Sequence, residues 1–314
     1  MSSRAGLPGR RGAVIVNPTA GNGRVRRRWP EIHRRLVAAV GAEPDVWFTE
    51  APGHAVDLAR SAAAGPYDWL AACGGDGTVH EVVNGLCRAR FDDGRDRAVP
   101  SLLVIPAGTG NDFARSQGLP LKVDEGLQLL EAGRLQLRWV DAGHVAGRYF
   151  INVGGVGFDA EVAAETNRIG KRLPGAGPYV LALFKKLLTY RNERVVIEAG
   201  GRRLEQKVLL VAVGTGRYYA GGMMILPQAD PADGLLDACI GGDLSRLGTL
   251  VLLTRIFSGG HQGHPKISFL RADRIRIDGP RHLHVHADGE VVGRLPVEFR
   301  VVPGAVPLLH PGPQ

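Results

Sequence analysis

An α/β domain followed by a β-dominated one is the fold this sequence predicts, and three observations carry the prediction. Apolar, strand-like runs alternate with helix-like segments through the first third of the 314 residues. Glycine-rich polar loops follow several of those runs, where the end of a strand would meet the start of a helix. From about Leu137 the texture changes to strand-like segments separated by glycine or aspartate turns.

Taken in order, "AVIVNP" (13–18) is continuously apolar, as a strand covered on both faces is. The loop "TAGNGR" follows, and then a helix predicted to open with Pro30 in its first turn and to stop at Gly41. "DVWF" (45–48) reads as a strand, "HAVDLARSA" as a helix, and "YDWLAAC" (67–73) and "SLLVIP" (101–106) as further strands. Such alternation implies a mostly parallel sheet with right-handed crossovers. In the second half, "LRWVDAG", "RYFINVG", "ERVVIEA", "KVLLVAVG", "ISFLRADRIRID" and "RHLHVHADGEVV" are strand-like. Only "PYVLALFKKLLTYR" (178–191) and "LSRLGTLVLLTRIF" (244–257) read as helices there. The predicted boundaries are 1–136 for the α/β domain, 137–303 for a β-sandwich, and 304–314 for a proline-rich tail.

The net charge is +8, with arginines clustered at Arg24, Arg26, Arg27, Arg28, Arg34 and Arg35. That cluster suits a solvated surface, an acidic membrane surface or a polyanionic ligand. No recognition helix, zinc finger or aromatic RNA-binding signature accompanies it, which ranks nucleic acid last. Cys73, Cys87 and Cys239 lack metal-ligand spacing, so a disulfide framework is not expected and a reducing, cytoplasmic setting is. No apolar run approaches the roughly 20 residues of a spanning helix, leaving a protein that is soluble or lies on a membrane.

"GGDGTVHEVVNGL" (74–86) raises the functional question, because glycine is costly unless the chain needs unusual dihedrals or close approach. Thr78 and Glu81 fit a capping box, and Val79, Val82, Val83 and Leu86 recur at helical spacing. Gly74–Thr78 is therefore placed between a strand's carboxyl end and a helix's amino end, where backbone N–H groups favour an anion. "IPAGTGNDFAR" (105–115) repeats the arrangement and "NPTAGNGR" adds a third polar loop. Three such loops on one edge point to a polyphosphate ligand, although the P-loop pattern is missing.

In this order, "VNPTAGNGR", "GGDGTVHEVVNGL" and "IPAGTGNDFAR" resemble the diacylglycerol kinase catalytic domain family, which includes bacterial soluble lipid kinases, sphingosine kinases and ceramide kinases. The likeness continues through "NVGGVGFDAEV" (152–162), "GGMMILPQADPADGLLD" (221–237), "SGGHQGHPKI" (258–267) and "HADGE" (286–290). The resemblance implies an NAD kinase/phosphofructokinase-like α/β nucleotide-binding domain, a C-terminal β-sandwich, and an active-site cleft between them. It implies ATP as phosphoryl donor with Mg2+, and a lipid hydroxyl as acceptor, with diacylglycerol or a related lipid foremost. Carried over by position, Gly74, Gly75, Asp76, Gly77 and Thr78 hold nucleotide phosphates, with Asn17, Thr49 and Thr109 as further contacts. Asp76 also counts as catalytic through its metal–phosphate pair. Glu290 falls on the family's catalytic base, just beyond the predicted type I′ turn Asp288-Gly289. The resemblance further implies a structural magnesium held by the Asp233 carboxylate and the carbonyls of Asp230 and Leu235. His80 stands where many relatives carry Asn.

Three other signals are set aside. His282, His284 and His286 share one strand face and have zinc-chelating spacing, but a polar strand face beside the hairpin explains them. "GGVGFDA" (154–160) matches a dinucleotide fingerprint without its crossover helix or distant acid, and reads as close backbone packing. "PYVLALFKKLLTYR" pairs an apolar face with Lys185, Lys186 and Arg191, which makes it a candidate interfacial helix for peripheral membrane association. The rival readings are an NAD kinase-like small-molecule kinase and a catalytically silent nucleotide- or lipid-binding sensor. A homodimer through a sheet edge stays open.

Overall fold

The computed structural model describes residue 7 and residues 10–93, 99–169 and 177–312. The chain forms two compact units, residues 1–140 with 304–314, and residues 141–303.

Unit 1 runs β1 (Gly12–Val16), α1 (Ala20–Val40), β2 (Asp45–Phe48), α2 (His54–Ala64), β3 (Trp69–Gly74), α3 (Asp76–Cys87), β4 (Ser101–Pro106), α4 (Asp112–Ser116) and α5 (Val123–Glu131). Its strands lie in the order β2-β1-β3-β4, all parallel. Every residue of β1 and β3 is buried, which is why both read as unbroken apolar runs. Val14, Val16, Trp69 and Ala71 pack with Ile32 and Leu36 of α1 and Leu127 of α5.

The first helix departs from the sequence expectation. Its regular turns begin only after Gly21, Asn22 and Gly23, whose left-handed conformations kink the chain away from the turn at Ala20, and Pro30 lies inside the helix. Val25 is buried in line with Ile32, Leu36 and Val40, so core burial holds the turn ahead of the proline despite the lost N–H. Gly41 ends the helix at φ 73°, as expected.

β5 (Leu135–Val145) leads into unit 2, which continues with β6 (Arg148–Phe150), β7 (Val153–Gly157), α6 (Phe158–Ile169), α7 (Gly177–Thr189), β8 (Glu193–Ala199), β9 (Arg202–Val208) and β10 (Leu210–Gly214). Short β11 (Tyr218–Tyr219) and β12 (Met223–Met224) precede β13 (Leu236–Gly241), α8 (Arg246–Arg255), β14 (Ile267–Ala272), β15 (Arg274–Asp278), β16 (His284–Ala287), β17 (Glu290–Arg294) and β18 (Val297–Pro311). Antiparallel β14-β13-β10-β7-β16-β17 forms one sheet, and β18-β15-β8-β9 the other. Val156, Val211, Val213 and Val285 of the first sheet meet Val195, Ile197, Ile275 and Phe299 of the second. Alternate residues of the first sheet, such as Leu210 and Ala212, pack on Phe158, Ala182 and Leu252 of the helices. That double coverage explains why "KVLLVAVG" shows no polar alternation.

Two expectations for the second half are corrected. Residues 158–169 form α6, although the sequence suggested helices only at 178–191 and 244–257. Its buried stripe is short, chiefly Phe158, Ala160 and Val162, so its helical period is weak. Residues 304–311 of the expected tail are not a tail, because β18 continues through Pro311 and pairs in parallel with β4 at Leu308↔Leu102, while 313–314 lie outside the described residues. Ala305, Val306, Leu308 and Leu309 are buried, and Arg90 Nη1 donates to the carbonyls of Gly304 and Ala305 at 2.7 and 3.0 Å. Apolar burial outweighs the ladder bond that Pro307 cannot make.

L308A is therefore expected to destabilise the protein by roughly 2–5 kcal/mol in urea unfolding. A dispensable tail would give no change.

Candidate functional site

Because β1, β3 and β4 are parallel, the loops that leave them share one edge. The ladder continues past the strands through Asn17 N–H to Cys73 O (3.0 Å), Thr49 N–H to Val16 O (2.9 Å) and Ala107 N–H to Gly74 O (2.8 Å). Asn17, Thr49, Gly74–Thr78 and Gly108–Thr109 are all gathered there. Asn17 organises its own loop, accepting from Thr19 N–H and Thr19 Oγ1 while its amide donates to Thr78 Oγ1 at 3.0 Å.

The glycines of this edge answer to close approach. A Cβ at Gly74 would lie 2.4 Å from Thr78 Oγ1, and one at Gly108 would lie 2.6 Å from Gly75 Cα. The two glycine loops thus touch backbone to backbone. Asn111, at φ 52°, accepts from Gly108 N–H and donates to Leu121 O, closing the second loop. Asp76 Oδ1 accepts from Phe113 N–H at 3.0 Å, so the carboxylate in the first loop holds the helix that follows the second. Thr109 and Gly77 are exposed at the edge.

The capping box expected from Thr78 and Glu81 does not form. Extended Gly75 is the N-cap of α3 and has no side chain to offer, so the helix opens earlier than the motif implies. Thr78 N–H bonds to Gly75 O. Glu81 instead accepts from Gly53 N–H (2.9 Å) and Ala55 N–H (3.1 Å), capping the start of α2. His80 is buried with its ring beside Asn84 Nδ2 at 3.3 Å.

In unit 2 the hairpin β16–β17 turns through Asp288 (φ 47°) and Gly289 (φ 87°), the two positive dihedrals of a type I′ turn. The sequence suggested nothing for Asp288 beyond that turn. Its carboxylate accepts from the N–H groups of Ile151, Asn152 and Val153 at 2.9–3.0 Å, and its own N–H donates to Val153 O. Glu290 starts the return strand, with a 45% exposed side chain whose Oε2 lies 3.7 Å from Arg148 Nη2. The histidine stripe meets separate carboxylates, His282 with Glu193, His284 with Glu161, and His286 with Asp159.

In the turn carrying Asp230, Asp233 and Leu235, the side-chain carboxylates are engaged by groups of the chain itself. Asp233 Oδ1 accepts from Leu235 N–H at 3.0 Å, and its Oδ2 forms an ion pair with Arg271. Asp230 Oδ1 accepts from Ala232 N–H. Arg271 also lies 3.3 Å from Asp237, whose carboxyl is held above its usual range by burial. A guanidinium thus already serves these carboxylates. Among the described residues, no group of three or more His, Cys, Asp or Glu side chains is arranged to hold a metal.

Residues 11–145 match the diacylglycerol kinase catalytic domain, and residues 152–310 match the YegS C-terminal NAD kinase beta sandwich-like domain. The chain is 31% identical to a diacylglycerol kinase of Bacillus subtilis over 92% of its length and 93% of that protein's. It is 33% identical to a diacylglycerol kinase of Staphylococcus aureus over 92% of its length and 89% of that protein's. The crystal structure of a diacylglycerol kinase from Bacillus anthracis has the same fold, with a TM-score of 0.73 at 24% identity and coverage of 96% and 97%. With both domain models matched and the relatives aligned over nearly their whole length, the chain belongs to the diacylglycerol kinase family and is a kinase.

Proposed function

We propose that this kinase transfers the γ-phosphate of magnesium-bound ATP to the hydroxyl of a lipid, with diacylglycerol as the acceptor. The observation that carries this reading is the backbone contact between the Gly74–Thr78 and Gly108–Asn111 loops on one parallel edge. At Gly74, Gly75 and Gly77 no side chain stands between the backbone and an incoming phosphate, which suits the close approach of phosphate oxygens. Gly74, Gly75, Gly77, Thr78, Asn17, Thr49 and Thr109 form the nucleotide set. Asp76 both braces α4 and brings a carboxylate to a site where magnesium arrives with the nucleotide. Glu290 serves as general base, accepting the proton of the lipid hydroxyl as that oxygen attacks the γ-phosphorus. The diacylglycerol kinases among its relatives support the acceptor.

The two helices on the outer face of unit 2 support work at a lipid surface. Val180, Leu181, Phe184 and Leu188 of α7 are 45–65% exposed at helical spacing. Leu247, Leu250 and Val251 of α8, with Phe257 just beyond it, are 43–71% exposed. The helices pack on each other, and Arg191, Arg246 and Arg255 flank them with positive charge. An apolar face rimmed by cations suits the interface of a bilayer with anionic headgroups. No helix among the described residues is long and apolar enough to cross a membrane.

Incubation with γ-labelled ATP, magnesium and micellar lipids is expected to label diacylglycerol, and E290Q to lower kcat by at least about 100-fold. Label appearing on NAD instead would make the chain an NAD kinase-like enzyme, and full kcat in E290Q would remove Glu290 as the base. In sedimentation with anionic vesicles, folded F184E/L188E is expected to bind at least about tenfold more weakly than wild type. Equal binding would rule out the α7–α8 face.

A further inference from the structure

We propose that His286 and Asp159 act as a positioning couple for the hairpin that presents Glu290. The inference rests on the reading of Glu290 as the base, and concerns two residues that reading does not use.

Both side chains are nearly sealed from solvent, His286 at 3% and Asp159 at 6% exposure. His286 Nε2 lies 3.2 Å from Asp159 Oδ2, and its other nitrogen, Nδ1, accepts from Gly289 N–H at 3.2 Å. A backbone amide always carries its proton, so Nδ1 must meet it with a lone pair. The neutral ring therefore carries its proton on Nε2, aimed at the aspartate. Asp159 anchors the other end, its Oδ1 accepting from Ala160 N–H at 2.8 Å in the first turn of α6. Carboxylate, imidazole and turn amide form one directed chain in which each link fixes the next.

The surrounding fold makes room for this chain. His286 sits opposite Gly155 on β7, and a Cβ there would lie 2.5 Å from Asp159 Oδ2 and 3.1 Å from His286 Nε2. An irregularity in the β16–β17 register falls between Val285 and His286, at the point where the histidine is aimed inward. The turn is then gripped on two sides. Asp288 ties it to residues 151–153, and His286 ties down the next peptide, at the glycine preceding Glu290. Glu290 is half-exposed beside Arg148, and the place of its Cα, from which the carboxylate reaches out, follows the backbone of the turn that carries it. A displacement of about 1 Å at a reacting group costs on the order of 100-fold in rate.

Two substitutions separate the halves of the chain. Asn at 286 puts an amide oxygen near the place of Nδ1 and keeps the Gly289 bond, whereas Gln reaches toward Asp159 and leaves Gly289 N–H without its acceptor. Relative to wild type, H286Q is expected to speed Gly289 amide exchange at least about tenfold. It is expected to lower kcat roughly 10–100-fold while KM for magnesium-ATP stays within about twofold. H286N keeps an acceptor for Gly289 but gives up the Asp159 contact, and is expected to fall between wild type and H286Q in both exchange and kcat. Imidazole nitrogen NMR of wild type is expected to show His286 protonated at Nε2. Wild-type kcat or Gly289 exchange in H286Q, or a proton on Nδ1 in wild type, would overturn the proposal. If H286Q does not fold, H286N decides, since a large kcat loss with Gly289 still protected would overturn it. E290Q, run in parallel, reports on the base itself. Full activity there would discard the role of Glu290, while Gly289 exchange in H286Q would still show whether His286 holds the turn.

Discussion

The glycine-loop edge of unit 1 depends on the parallel ladder of β1, β3 and β4. Parallel strands end on the same edge, so the loops that follow them are neighbours without any further device. The ladder runs on beyond the strands through Asn17, Thr49 and Ala107, which brings the loop residues within bonding distance of one another. Substitution at Gly75 or Gly108 would push these backbones apart, because a Cβ at either lies within about 3 Å of the other loop's Cα. Asp76 then reaches from one loop to the helix that follows the other, making the two a single construction.

Unit 2 uses a comparable economy around one carboxylate. Asp288 accepts from three consecutive amides, and it does so from a turn that the Asp-Gly pair folds into at low cost. Glu290, the proposed base, is the first residue after that turn. The inner strands β7, β10 and β13 of the six-stranded sheet are buried throughout, and the hairpin joins that sheet through β16 and β7. A half-exposed side chain is thus mounted on a strand of the sheet, which a loop of the same length would not supply.

Electrostatics in both units is mostly local pairing. Arg28 and Arg35 of the basic helix lie against Asp124 and Glu131 of α5, so only part of the arginine cluster is available to an external anion. Asp233 and Asp237 share Arg271, and Glu165 is held down to about 2 by hydrogen bonds from Arg168 and Lys185. The three cysteines are buried, and burial pushes the Cys73 thiol up to about 12, which leaves it unreactive.

The sequence by itself determined the class of fold, the parallel character of the first sheet, the type I′ turn and the residues gathered on the loop edge. Those features are written in short-range patterns, namely periodicity, glycine spacing and turn chemistry. Only the tertiary structure decided where side chains find their partners. Thr78 and Glu81 satisfy a local capping pattern, yet Glu81 serves α2 instead, because Gly75 starts the helix early. Pro30 marks a helix start in sequence but lies inside one, since Val25 is held in the core. Residues 304–311 read as a tail until β4 supplies a partner strand from some 200 residues earlier. His286, one of an alternating stripe, was indistinguishable from its neighbours until the fold brought Asp159 and Gly289 to its two nitrogens. Long-range pairing costs chain entropy and leaves no local signature, so it is settled by what the folded core brings together.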